Sequence, residues 1–255
     1  MNRLSKLSYM TLIYLFFYVP IVILIVYSFN NSTYSMLWHG FTWQWYQQLI
    51  ADTDLQSIAI HSLIVGILAA TAATIMGTLT AVTLFRYQFY GKKLLHTLIF
   101  ILIVSPDIVM GISLLILYST MKISLGFCTL LFAHITFCIP FVAVTVYSRM
   151  TGLDKNIFEA ARDLGAKDFT IFLRIIIPLL WPAIIAGWLL SFTLSLDDVI
   201  ISYFVTGPDF QILPLQIFSM VRLGITPEIN ALCSVMFSIT LLIVIVSQMM
   251  LRKKQ

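Results

Sequence analysis

The stretch TGLDKNIFEAARDLGAKDFTIFLRIIIPLLWP, residues 151–182, joins two strongly apolar runs, yet its own pattern is that of folded structure. Asp154 is a residue type that caps helix starts. In NIFEAARDL the apolar Ile157, Phe158, Ala161 and Leu164 recur at helical spacing. Gly165 suits the left-handed position that ends such a helix. Asp168 suits the cap of a second short helix through Phe169, Ile171, Phe172 and Ile175. Two capped helices meeting at a glycine make a rigid knob outside a membrane; periodicity alone fits an amphipathic linker lying on the inner leaflet equally well.

The flanking sequence sets the solvent. Of 255 residues, 60% are hydrophobic and 10% charged, and the mean hydropathy is +0.98. Soluble domains run nearer half apolar and about a quarter charged, so this is an integral membrane protein. A hydrocarbon core about 30 Å thick takes about 20 apolar residues per helical crossing. Six runs qualify: 9–29, 58–84, 94–119, 127–148, 178–205 and 230–250. The expected architecture is an all-α membrane protein, one domain over 1–255 with six transmembrane helices and no separate soluble domain. The first run is too long for a signal-peptide core and lacks a small-residue cleavage site behind it, so it reads as the first helix. Pro178 and Pro182 disturb the start of the fifth run, which places that helix start near Pro182.

Lysine and arginine orient the bundle. Arg3 and Lys6 precede the first run, and Arg86, Lys92 and Lys93 follow the second. Arg149, Lys155, Arg162, Lys167 and Arg174 lie between the fourth and fifth, and Arg252, Lys253 and Lys254 follow the sixth. That is 13 of the 15 basic residues on one side, with Lys122 and Arg222 on the other. Both termini are therefore expected inside, and topology accounts for the pI near 9.0 without nucleic acid. The outer segment 30–57 carries Trp38, Trp43, Trp45 and Tyr46 and no Lys or Arg. It reads as an aromatic belt at the membrane surface or as a docking surface for an outer partner. Cys128, Cys138 and Cys233 show no disulfide spacing and read as small packing residues.

The segment Glu159–Pro178 resembles the Glu-Ala-Ala loop of ATP-binding-cassette import permeases. Glu159, Ala160, Ala161, Gly165, Ile175 and Pro178 occupy that pattern's positions. YVPIVILIVYSFN, SPDIVMGISLL, HITFCIPFVAVTVYSRM, SFTLSLDDVI and ILPLQIFSMVR extend the resemblance along nearly the whole chain, to the spermidine/putrescine permeases and their C-type subunit. The resemblance implies a type I importer permease fold, N-in and C-in, in a bacterial inner membrane. It implies that the loop over 151–177 docks on a cytoplasmic ATPase, with Ala160 and Ala161 permitting close approach. It also implies a second, related permease, two ATPase copies and a periplasmic polyamine-binding protein as partners. ATP hydrolysis then belongs to the ATPase, and no glycine-rich phosphate loop occurs in this chain. The same permease class carrying ferric iron, an aminophosphonate or an amino acid is the nearer alternative; a stand-alone channel or membrane enzyme is the more distant one.

Asp107, Asp197 and Asp198 lie inside the apolar runs, where no Lys or Arg answers them. An ionised residue at a helix centre costs about 2.5–3.5 kcal/mol by insertion scales and usually faces a cavity or pathway. The missing positive charge then comes from a ligand or a partner subunit. Counting about 1.5 Å per residue along straight helices puts Asp107 and Asp197 both about 20 Å from the inner face, compatible with one ring of acids. Pro106 would free carbonyls for an ammonium group. Helical neighbours differ by about 100°, so one of Asp197 and Asp198 should line the path while the other caps or pairs across an interface. The competing reading has all three binding Ser, Thr or backbone donors and fixing helix packing. A polyamine suits spaced carboxylates and aromatic faces, for which Trp188 and Tyr203 are the nearby candidates. His134 and Cys138, spaced i, i+4, can share a helix face as two metal ligands, but no third ligand is evident and packing is the plainer role. His61 reads as a hydrogen-bonded membrane histidine.

Overall fold

The computed structural model describes residues 3–32, 37–154, 156–224 and 226–252. Lys155, Lys253, Lys254 and residues 33–36 of the aromatic segment lie outside the described residues. In chain order the helices are α1 (Arg3–Tyr27), α2 (Gln44–Ala51), α3 (Thr53–Arg86), α4 (Lys92–Val104), α5 (Asp107–Thr120) and α6 (Phe127–Thr151). They continue with α7 (Asn156–Asp163), α8 (Asp168–Ile171), a π-turn (Phe172–Ile176), α9 (Ile177–Asp197), α10 (Ile200–Val205), α11 (Leu213–Leu223) and α12 (Pro227–Arg252).

Two compact units result, Met1–Ala59 with Gln216–Gln255, and Ile60–Leu215. In the first, α1 and α2 pack on α12, and no part of the apolar run Leu7–Tyr27 is buried within the chain. In the second, α6 packs along α9, α10 lies on α5, and α4 rests on α6. Among the described residues, four helical stretches are long and apolar enough to cross a bilayer: Leu7–Tyr27, α3, α6 and the continuous helix Asp168–Asp197. The bent pair α4–α5 makes a fifth if it counts as one span, and α12 contributes the shorter apolar stretch Pro227–Leu242. The protein is thus a multi-pass, all-helical membrane protein.

Small residues let the second unit close. Along α3, Ala69, Ala70, Ala73 and Ala81 are fully buried. A Cβ on Gly77 would sit 2.7 Å from the Val142 Cβ and 3.0 Å from the Ile139 carbonyl oxygen of α6. One on Gly187 of α9 would come within 3.2 Å of the same Val142. Lipid tails are as apolar as leucine, so close backbone approach, with its dispersion contacts, drives such association.

Two expected helices differ from their sequence reading. The third run is interrupted at Ser105 and Pro106, both extended, and α4 and α5 meet there at 113°. The proline ring disfavours helical backbone at the preceding residue. Ser105 therefore closes α4 through its N–H to the Ile101 carbonyl (2.9 Å), while the Pro106 carbonyl opens α5 by accepting from Val109 (2.9 Å). The straight-helix rise used to place Asp107 level with Asp197 fails at this elbow. The fifth run does not start at Pro182 either: helix extends unbroken from Asp168, with both prolines inside it. The π-turn just before Pro178 fits the ring and its missing N–H, because a widened turn accommodates the lost i−4 bond.

Candidate functional site

The connecting knob follows its sequence closely. The Asp154 carboxylate accepts the Asn156 N–H at 2.9 Å, as a cap should. Gly165 has φ of 79°. Its N–H bonds the Arg162 carbonyl (2.8 Å) and the Ala166 N–H bonds that of Ala161 (3.0 Å), the paired closure of a Schellman turn. Phe158 and Ala161 turn inward, onto a core that includes Met150 and Ile171, with Phe85 and Tyr147 packed against it. Glu159 and Ala160 face out, beside Leu164 and Phe169 at 89% and 71% exposure. Ala161 therefore serves the knob's own packing, and Ala160 is the small residue left on the surface. Asp168 departs from expectation. It makes no side-chain cap, and instead takes the Arg86 guanidinium at 2.6 Å and that of Arg162 at 3.2 Å. The Arg86 side chain, counted in the sequence among the basic residues that follow the second run, is only 7% exposed and lies near the Phe158 ring. The knob is thereby tied to the end of α3.

Each interruption within an apolar segment of the second unit carries carboxylate. Asp107 is the first residue of α5, where the helix dipole favours an acid, and is half-buried. One turn on, Gly111 meets Ile201 and Phe204 of α10. Asp197 ends α9 and is exposed. Asp198, at 8% exposure and with ψ of 121°, breaks the helix. Its carboxylate accepts the backbone N–H groups of Ile201 (3.2 Å) and Ser202 (2.8 Å) and the Ser202 hydroxyl (2.7 Å), which makes it the cap of α10. Asp198 thus takes the capping duty that the sequence left open between the two neighbours.

Of the aromatic candidates, Trp188 stacks on Phe192 (5.3 Å between centroids) and donates its indole N–H to the Thr71 hydroxyl (3.1 Å), so α3 and α9 engage it. Tyr203 on α10 is 59% exposed. His134 is buried completely, with Nδ1 2.7 Å from the Ser195 hydroxyl and Nε2 2.9 Å from that of Ser202. Cys138 turns its thiol to the Ser191 carbonyl at 3.5 Å, so histidine and cysteine both serve the α6–α9 packing. His61 stacks on Phe210 (4.6 Å), and its Nδ1 has no hydrogen-bond partner among the described residues. Ser195 and Ser202 carry no reading in the sequence; Asp198 breaks the helix between them, so their spacing alone does not bring them together.

In the first unit the aromatic segment folds on itself. Phe29 stacks on Phe41 (5.1 Å) and touches Trp43 and Tyr46 (4.9 and 5.0 Å). Asn30, fully buried, donates to the Leu37 carbonyl and accepts from the His39 N–H, while its own carbonyl takes the Trp45 indole.

Acids at both interruptions of its apolar segments, and a capped knob tied to the end of α3, give this helical membrane protein the form of a transport permease. The chain belongs to the family of binding-protein-dependent transport system inner membrane components, whose model matches residues 63–253. It is similar to the spermidine/putrescine transport system permease protein PotC of Escherichia coli strain K12: 53% identical over 253 residues, 99% of this chain and 96% of the relative. It is 44% identical over 226 residues to the putrescine transport system permease protein PotI of the same organism, covering 86% and 80%. Among solved structures, a chain of the bacterial alginate ABC transporter in complex with its alginate pentasaccharide-bound periplasmic protein superposes with TM-score 0.76. Coverage is 98% and 94%, at 15% identity, so that likeness concerns the fold.

Proposed function

We propose that this chain is the membrane-spanning permease subunit of an ATP-driven polyamine importer in a bacterial inner membrane. It forms half of the translocation path together with a second, related permease. The observation that carries the reading is the coincidence of carboxylates with both helix interruptions. Backbone without helical bonds is tolerated at membrane depth where it is buried in protein or lines a cavity, and transporters place ligand sites at such broken helices. Asp107 and Asp197 supply charge for an ammonium group, and Tyr203 an aromatic face. Asp198 and Trp188 support the path from behind. The 53% identity to a spermidine/putrescine permease gives the cargo class its support.

In this reading all six apolar runs cross the membrane, both termini are inside, and residues 1–255 act as one permease domain. The knob over 151–177 presents Glu159, Ala160 and the turn at Gly165 to one of two cytoplasmic ATPase copies. A periplasmic polyamine-binding protein delivers cargo from the other side. The test is uptake of labelled spermidine and putrescine by the complex recovered with the tagged chain, with each unlabelled amine as competitor. Polyamine uptake that ferric iron, an aminophosphonate or amino acids leave untouched is expected. Uptake competed by one of those instead, or recovery of the chain without an ATPase, overturns the reading.

A further inference from the structure

Asp197 and Asp198 adjoin in sequence and part company in space, and something must hold the break that separates them. The residue placed to do so is on another helix. His134 of α6 lies between Ser195, on the last turn of α9, and Ser202, on the first turn of α10. Its two ring nitrogens reach one serine each, so a single imidazole spans the interruption. The Ser202 hydroxyl has one hydrogen, and the acceptor-only carboxylate of Asp198 takes it at 2.7 Å. The Ser202 oxygen therefore accepts from His134 Nε2–H, whose nitrogen is also 3.5 Å from the Asp198 oxygen. A hydrogen-bonded chain runs from Ser195 through His134 and Ser202 to Asp198, with no member more than 8% exposed. A second α6 residue meets the far end of α10, where the Thr129 hydroxyl is shared between the Val205 carbonyl at 2.8 Å and the Gly126 carbonyl at 2.9 Å.

We infer that His134 is a positioning residue of the translocation path: by bridging Ser195 and Ser202 it fixes the angle between α9 and α10, and so the direction in which Asp197 presents its carboxylate. The inference deepens the proposed role of Asp197 and rests on it for its transport consequence. In a buried site with low dielectric a satisfied polar chain is stiff, and losing one member leaves the others unpaired. An apolar ring at position 134 would still fill the site, with somewhat more bulk than imidazole, while releasing the break, and Asp197 would no longer be held to one direction. A glutamine keeps an N–H and a second polar atom across one carbon, as the imidazole does, and preserves the bridge.

The test uses the full-length chain in its assembled complex and has two arms. In the first, Asp197→Cys is labelled with a cationic methanethiosulfonate and its modification is read by peptide mass, apart from the native cysteines. Adding His134→Phe should change the rate at position 197 by about tenfold or more, the scale of effect when a positioned group shifts by about an ångström; His134→Gln should leave it within about threefold. Ser195→Ala, which cuts the α9 half of the bridge alone, should move the rate in the same direction as His134→Phe and stands in for it where that variant does not assemble. An unchanged rate in His134→Phe and Ser195→Ala overturns the inference whatever the cargo. In the second arm, polyamine uptake per assembled complex should fall about tenfold in His134→Phe, recover in His134→Gln, and fall no further when His134→Phe is added to Asp197→Asn. Losses that multiply would show His134 acting independently of Asp197 and overturn the inference. A wild-type complex that carries no polyamine would sink the cargo reading alone, since the labelling arm still decides the role of His134.

Discussion

Asp197→Asn and Asp198→Ala should fail in different ways, although the residues are adjacent. Asp197 is exposed and caps nothing. Its amide variant should reach the membrane in normal amount and lose a charge-assisted contact with the cargo, about 1.5–3 kcal/mol. That is about ten- to a hundredfold in transport, read as uptake per complex. Asp198 caps α10 and takes the Ser202 hydroxyl. Its alanine variant loses about 1 kcal/mol of capping and strands buried donors for about 1–3 kcal/mol more. A lower unfolding midpoint in detergent and less protein in the membrane should follow, before any transport assay. The pair was legible in the sequence as a cost with no cation to answer it. Which acid turns inward was not legible, because the 100° rule assumes unbroken helix and Asp198 is where the helix breaks. The partner that holds it, His134, is 64 residues earlier in the chain, and single-sequence periodicity carries no information across that distance.

At the level of elements, close approaches and turns can be tested separately. Gly77→Ala should push α3 from α6, because the added carbon meets the Val142 Cβ at 2.7 Å and a backbone oxygen at 3.0 Å. Overpacking of this kind costs about 1–3 kcal/mol, visible as a lower midpoint. Gly165→Ala meets no neighbouring atom within 4 Å, so its penalty comes from the backbone at φ of 79°. A side chain there costs about 1–2 kcal/mol. Faster proteolytic cleavage between α7 and α8 should report it, with the membrane helices unaffected. The knob was readable because caps and a glycine turn are local chemistry. The elbow at Ser105–Pro106 carried a local signal too, a proline that excludes helix from its predecessor, yet an apolar run of 26 residues outweighed it in the reading. Asp168 was misread as a cap since its partner, Arg86, is remote in sequence.

For the whole molecule, Glu159→Ala should abolish uptake while the periplasmic protein keeps its affinity for cargo; normal uptake by that variant would remove the coupling role proposed for the knob. The helix from Asp168 to Asp197 gives that role a mechanical sense. Its 30 residues span about 45 Å, beginning at the ion pairs with Asp168 and ending at the exposed Asp197. A stiff strut passes an axial displacement to its far end, and the π-turn is a compliant collar near its base. The other route to the carboxylates turns through 113° between α4 and α5, and there the same thrust becomes a swing. A push entering at the ion pairs would therefore reach Asp197 along a helix axis, whereas Asp107 lies beyond an elbow and would answer it by turning.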